Sequence, residues 1–128
     1  MNPDDLQNEI DALLRQSDDA RRLGVVSVRV GKGAEDIDLA SCVPVEVTVG
    51  DHASREFIIY SRAVIDRFLE TRVVPFHGLS IPDGVFFSTT PMVIVKNITA
   101  GSVLSGVLSY LEVEGASQGR NPVLPATS

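Results

Sequence analysis

The side chains able to do chemistry are few and scattered. His52 and His77 stand in loop-like surroundings. Neither has a second ligand at i+2, i+3 or i+4, the spacings that bring two side chains onto one metal ion. Cys42 is the single cysteine. A thiol nucleophile needs a base within reach, and the sequence places none beside it, so Cys42 reads as a small buried hydrophobe. No Gly-x-Ser-x-Gly elbow occurs among the serines. Gly31-Lys32-Gly33 lacks both the earlier glycine and the following Ser or Thr of a phosphate-binding loop. Glu35, Asp36 and Asp38 miss the spacing of a calcium-binding EF-hand loop. Asp4-Asp5 and Asp18-Asp19 fall on a predicted helix, where adjacent side chains diverge, so neither pair can share a proton. Asn97-Ile98-Thr99 matches a glycosylation sequon, which means little without a secretory signal. The expectation is a chain that is not an enzyme, with no catalytic residue, no cofactor, no metal and no small-molecule substrate.

Composition narrows the remaining classes. The chain has 128 residues, which suits one domain. Seventeen acids against eleven bases leave a net charge of −6. That lacks the basic stripe that phosphate backbones require, so direct nucleic-acid binding is not expected. An acidic surface suits solubility or a basic partner. The N-terminus, Met1-Asn2-Pro3-Asp4-Asp5, carries acids where a secretory signal carries bases, and no apolar run approaches the length of a membrane helix. A soluble chain, cytoplasmic when made and without membrane contact, is the expectation.

The elements follow from hydrophobic spacing. Over 3–23, Leu6, Ile10, Leu13 and Leu14 recur on one helical face, with Asn2 as cap, Pro3 at the first position and Gly24 as the stop. Val25–Val30 and Val43–Val49 alternate as half-buried strands. Pro44 belongs at a strand start or sheet edge. The turn at 50–54 and the strand 56–60 complete a hairpin over 43–61. Ser61 caps a short helix over 62–71, with Val64, Ile65, Phe68 and Leu69 on its apolar face. Strands are expected at 84–88 and 92–98.

The stretch from Val73 to Leu111 holds 39 residues and only two formal charges, Asp83 and Lys96. It must be core or lie against another molecule. Its last part fits two periods. Val103, Leu104, Val107, Leu108 and Leu111 make a helical face, while Val107, Ser109, Leu111 and Val113 alternate. Gly106 costs a helix about 1 kcal/mol, and Ser102, Ser105 and Ser109 are poor helix formers. These predict a strand over 103–113 with a hairpin at 99–102. The fold class expected is β-rich α+β: an antiparallel sheet or small β-sandwich, one N-terminal helix and one short internal helix. Residues 1–114 form a single globular domain, 1–23 its helix and 25–113 its body. The Gly, Ser and Pro content of 115–128 predicts a flexible tail.

Leu79-Ser80-Ile81-Pro82-Asp83-Gly84-Val85-Phe86-Phe87, then Met92–Val95, then Gly106-Val107-Leu108-Ser109-Tyr110-Leu111-Glu112-Val113, resemble the Gly-turned, valine-rich strand pairs that end small structural proteins of phage particles. The likeness spans about a third of the chain, from 76 to 113. It implies a non-catalytic capsid- or tail-associated subunit, located in the virion, a homo-oligomer or part of a larger particle. Its interface residues would be Phe86, Phe87, Met92, Leu108 and Tyr110. A second likeness rests on element order and charge. Helix–strand–strand–strand–helix–strand–strand, closed by a helix, is similar to the small acidic secretion chaperones and to some toxin-immunity proteins, which bind through a sheet edge or an acidic loop. The two readings part at 103–113: strand for the first, helix for the second.

Overall fold

The computed structural model describes residues 2–31, 41–70, 73–74, 79–80 and 90–115. The chain opens with α1, Pro3–Gln16, whose N-cap Asn2 accepts a hydrogen bond from the Asp5 N–H at 2.8 Å. The predicted single helix over 3–23 is two. At Ser17 the backbone turns extended, and its hydroxyl accepts from the Ala20 N–H to start α2, Asp18–Leu23. A serine that satisfies an orphan N–H of the next turn favours such a restart. Gly24, at φ 79°, ends α2 as the spacing predicted.

Strands β1 (Val25–Val30), β2 (Cys42–Val49) and β3 (Arg55–Ser61) form an antiparallel meander. α3, Arg62–Glu70, follows at once and is capped by Ser61, whose hydroxyl accepts from the Val64 N–H. Two short strands, β4 (Val73–Val74) and β5 (Leu79–Ser80), pair with each other. β6, Met92–Val95, then returns beside β3, in parallel. The main sheet is therefore mixed, in the order β1-β2-β3-β6, and not wholly antiparallel. The expected strand at 84–88 and the tail after Gly115 lie outside the described residues.

The strand expected at 103–113 is a helix, α4, Ala100–Gly115. The hairpin expected at 99–102 is its cap: the Thr99 N–H donates to the Ser102 hydroxyl at 2.8 Å, and the Ser102 N–H donates to the Thr99 hydroxyl at 3.0 Å. This reciprocal pair satisfies two orphan donors of the first turn. Gly106, weighed above against a helix, is what lets the helix sit down. A Cβ there would stand 2.7 Å from Val93 Cγ1. The loss in propensity is offset by close packing of α4 on β6. With α4 counted, helix outweighs strand among the described residues, so the fold is α+β but not β-rich.

The sheet has two covered faces. On one, Val28, Val43, Val45, Val47, Phe57 and Ile59 pack beneath Leu6 and Ile10 of α1, Ala20 of α2, and Val103, Leu104 and Val107 of α4. On the other, Cys42, Ile58 and Tyr60 are buried with Val64 of α3. Period-two alternation places these sets on opposite sides of each strand.

Candidate functional surface around the C-terminal helix

Among the described residues the groups singled out for chemistry do not meet. His52 is exposed in the turn after β2, Cys42 is buried on the α3 side, and His77 lies outside the described residues, as do Gly33, Glu35, Asp36 and Asp38. Asp18 and Asp19 pair with Arg21 and Arg22, not with each other. Among the described residues no three of His, Cys, Asp and Glu are grouped to hold a metal ion. No described helix is long and apolar enough to cross a membrane.

What the fold does build is a surface centred on α4. The helix lacks a basic residue in its last turn and carries Glu112 and Glu114 there, against its own dipole. Two arginines from elsewhere answer these charges. Arg22 of α2 holds Glu112 through contacts of 2.6 and 3.1 Å. Arg55 of β3 holds Glu114 through two contacts of 2.6 and 2.8 Å. Hydrogen bonding from Arg55 moves the Glu114 carboxyl below the usual carboxylate range, and the same bond raises the Arg55 guanidinium. Arg55 also lies 5.3 Å from the centre of the Phe57 ring, and the Phe57 and Tyr110 rings stand nearly perpendicular with their centres 4.9 Å apart. The C-terminal end of α4 is thus clamped to both α2 and β3.

A groove runs along each flank of this clamped helix. On the first flank, about 450 Å³ of space lies between α4 and α1–α2. Leu13, Leu23, Leu104 and Leu108 line it, with Asp19 and Glu112 also at its walls. Leu13 belongs to the predicted apolar face of α1, yet it is 39% exposed and lines this groove. On the second flank, about 580 Å³ lies between α4 and β6, lined by Met92 to Lys96, Ser102, Ser105, Gly106, Ser109, Tyr110 and Val113. Ile94 is 49% exposed and Val113 68% exposed there.

Of the interface residues expected from the sequence, Met92 and Tyr110 line the second groove and Leu108 lines the first. They do not form one patch, because α4 stands between them. Leu108 and Tyr110 also pack on the main core, and Met92 on the α3 cluster, so each is half core and half surface. Phe86 and Phe87 lie outside the described residues.

Sequence reasoning missed Leu13, Ile94 and, above all, Gln7. The Gln7 side chain lies along the outer edge of β1. Its Nε2 donates to the Val28 carbonyl at 2.9 Å and to Asp11 Oδ1 at 2.9 Å, and its Oε1 accepts from the Val30 N–H at 2.6 Å. One amide side chain there takes the place of a neighbouring strand. The visible hint was a glutamine next to Leu6, at the border of an apolar helical face. Comparison with known proteins found no matching family model, no matching curated protein and no matching solved structure.

Proposed function

We propose that this chain is a small acidic partner-binding protein, of the kind to which secretion chaperones and toxin-immunity proteins belong, and that it acts without catalysis. The observation that carries this is α4 itself: a helix where the particle-protein resemblance needed a strand, clamped at its end and open along both flanks. The element order now runs helix, three strands, helix, strands, helix. The closing helix supports the acidic-binder likeness, although that likeness had one helix, not α1 and α2, at the start and two strands, not β4 to β6, before the last helix.

The partner segment lies in the groove between α1–α2 and α4. Its four leucines reward burial at roughly 25 cal/mol per Å² of apolar surface, and Gln16, Ser17, Ser105 and Ser109 beside them offer polar contacts. Two carboxylates, Asp19 and Glu112, share one guanidinium, Arg22, at its wall. With the net charge of −6, this favours a basic, amphipathic segment. The test is selection from a displayed random-peptide library. Basic-apolar sequences are expected to be enriched on the wild-type chain and lost on Leu108→Asp. Enrichment of unrelated sequences, or equal enrichment on the variant, would refute the reading. A particle subunit is the second reading, favoured by the uncharged run Met92–Val95 of β6, whose outer edge has no neighbour among the described residues. It requires assemblies much larger than a few copies.

A further inference from the structure

We infer that Gln7 is an edge guard: its amide holds shut the outer edge of β1, the strand through which copies of this chain would otherwise pair. This goes beyond the partner-binding reading and does not rest on it. A sheet edge offers a row of backbone N–H and C=O groups to any extended chain. β1 is a strong template for such pairing. Val25-Val26-Ser27-Val28-Arg29-Val30 has four valines and a single charge, with no Pro or Gly. Val26 is 62% exposed on it.

The edge is closed in two parts. The pairing of β1 with β2 shifts register between Val25 and Ser27, and an irregularity of this kind blunts an edge. The part beyond it is regular, and there Gln7 stands. Its Nε2 donates to the Val28 carbonyl and its Oε1 accepts from the Val30 N–H. These two bonds straddle Arg29 as those of one residue in an added parallel strand do. The Gln7 Nε2 also donates to Asp11 Oδ1, one turn along α1. Both N–H groups and the oxygen of the amide are thus engaged, which fixes which way round it lies. Leu6 and Ile10, fully buried on either side of Gln7 in α1, hold its backbone against the sheet. A strand from elsewhere cannot take the Val30 N–H while Gln7 holds it.

Removing the amide frees the Val28 carbonyl and the Val30 N–H together. In a purified sample the strand on offer is then β1 of a second copy. Antiparallel pairing centred on Val28 sets Val28 opposite Val28, Arg29 opposite Ser27 and Val30 opposite Val26. No like charges meet along this register, so nothing in the strand itself opposes the pairing.

The experiment is light scattering of the full chain from about 1 to 200 µM for wild type, Gln7→Ala, Gln7→Ala with Val26→Lys, and Thr99→Ala. Alanine favours helix, so Gln7→Ala leaves α1 in place. Circular dichroism checks this, and Gln7→Leu, which keeps the side-chain bulk, repeats the test should the alanine chain unfold. Lysine on an edge strand opposes pairing. Thr99→Ala loosens the cap of α4, after β6 at the other end of the strand order, and controls for instability alone. Gln7→Ala is expected to reach about twice the wild-type mass or more as concentration rises. Val26→Lys should return it to the wild-type mass, and Thr99→Ala should stay there. The Val30 amide of Gln7→Ala should exchange faster than in wild type when dilute, and slow as copies pair. Gln7→Ala at the wild-type mass throughout, equal association of Thr99→Ala, or association that Val26→Lys leaves unchanged would overturn the inference.

Discussion

Gly106 of α4 and Val93 of β6 approach so closely that a Cβ on the glycine would stand 2.7 Å from Val93 Cγ1. A valine methyl is held by its backbone and cannot swing aside as the end of a long side chain can. The contact sets the depth at which α4 lies on the sheet, and with it the width of the groove on either side.

Gly106→Ala should therefore destabilise the fold, against the trend for helix glycines. Alanine regains about 1 kcal/mol of helix propensity, but overpacking of this kind costs about 1–3 kcal/mol. Urea unfolding should show a net loss of up to about 2 kcal/mol. A stabilised variant would mean that α4 does not pack here as described.

The cap of α4 gives a second expectation. Thr99→Ala removes the hydroxyl that accepts from the Ser102 N–H. The loss should be about 1 kcal/mol, with Thr99→Ser restoring most of it. Urea midpoints of the two variants check this.

These two sites explain what could and could not be read from the sequence. The first three strands and the hairpin of β2 with β3, α3 and its Ser61 cap, and the Asn2 and Gly24 caps of the N-terminal helices were legible because each is set by local pattern, whereas the pairing of β1 with β2 was not read. The break at Ser17 was not read, although serine is a helix-starting residue. α4 was misread because Gly106 and three serines were weighed as local costs, whereas Gly106 serves the packing of α4 on β6 and Ser102 serves the cap. The reciprocal Thr99–Ser102 cap was available as a counter-signal in Thr99-Ala-Gly-Ser102. The parallel placement of β6 follows from a crossover through α3, which no period along the chain reveals. At the candidate surface, Leu108 and Tyr110 had been singled out in the sequence by their apolar character. Gln7 was not, because its role lies in reaching a strand 21 and 23 residues away.

Acid should loosen the end of α4. The Arg55 bond lowers the Glu114 carboxyl in the folded chain, so the unfolded chain, near the ordinary glutamate value of about 4.3, takes up the proton first. Ion-pair stability is then complete above the unfolded value and lost as the pH falls through the lower, folded one. The pair is partly exposed, so the loss is about 1 kcal/mol or less. Thermal midpoints measured from pH 6 to pH 3 should fall less steeply in Glu114→Gln than in wild type. Parallel profiles would remove the clamp from the account.

Gln7→Leu keeps the bulk of the side chain but removes both edge contacts. It leaves the Val28 carbonyl and the Val30 N–H without this partner, at about 1–3 kcal/mol for a group that stays buried. Exchange of the Val30 amide should accelerate far more than that of Val45, in the centre of the sheet. Equal protection in the variant would show that the Gln7 bonds contribute nothing.

The central claim is that the surface around α4 receives a basic, amphipathic segment on its α1–α2 flank. Its most direct test is a backbone NMR titration of the full chain with a library-selected peptide. The account predicts shift changes concentrated at Leu13, Leu23, Leu104 and Leu108, saturating at one peptide per chain and abolished by Leu108→Asp. Changes centred on His52 and Cys42, or none near α4, would contradict it.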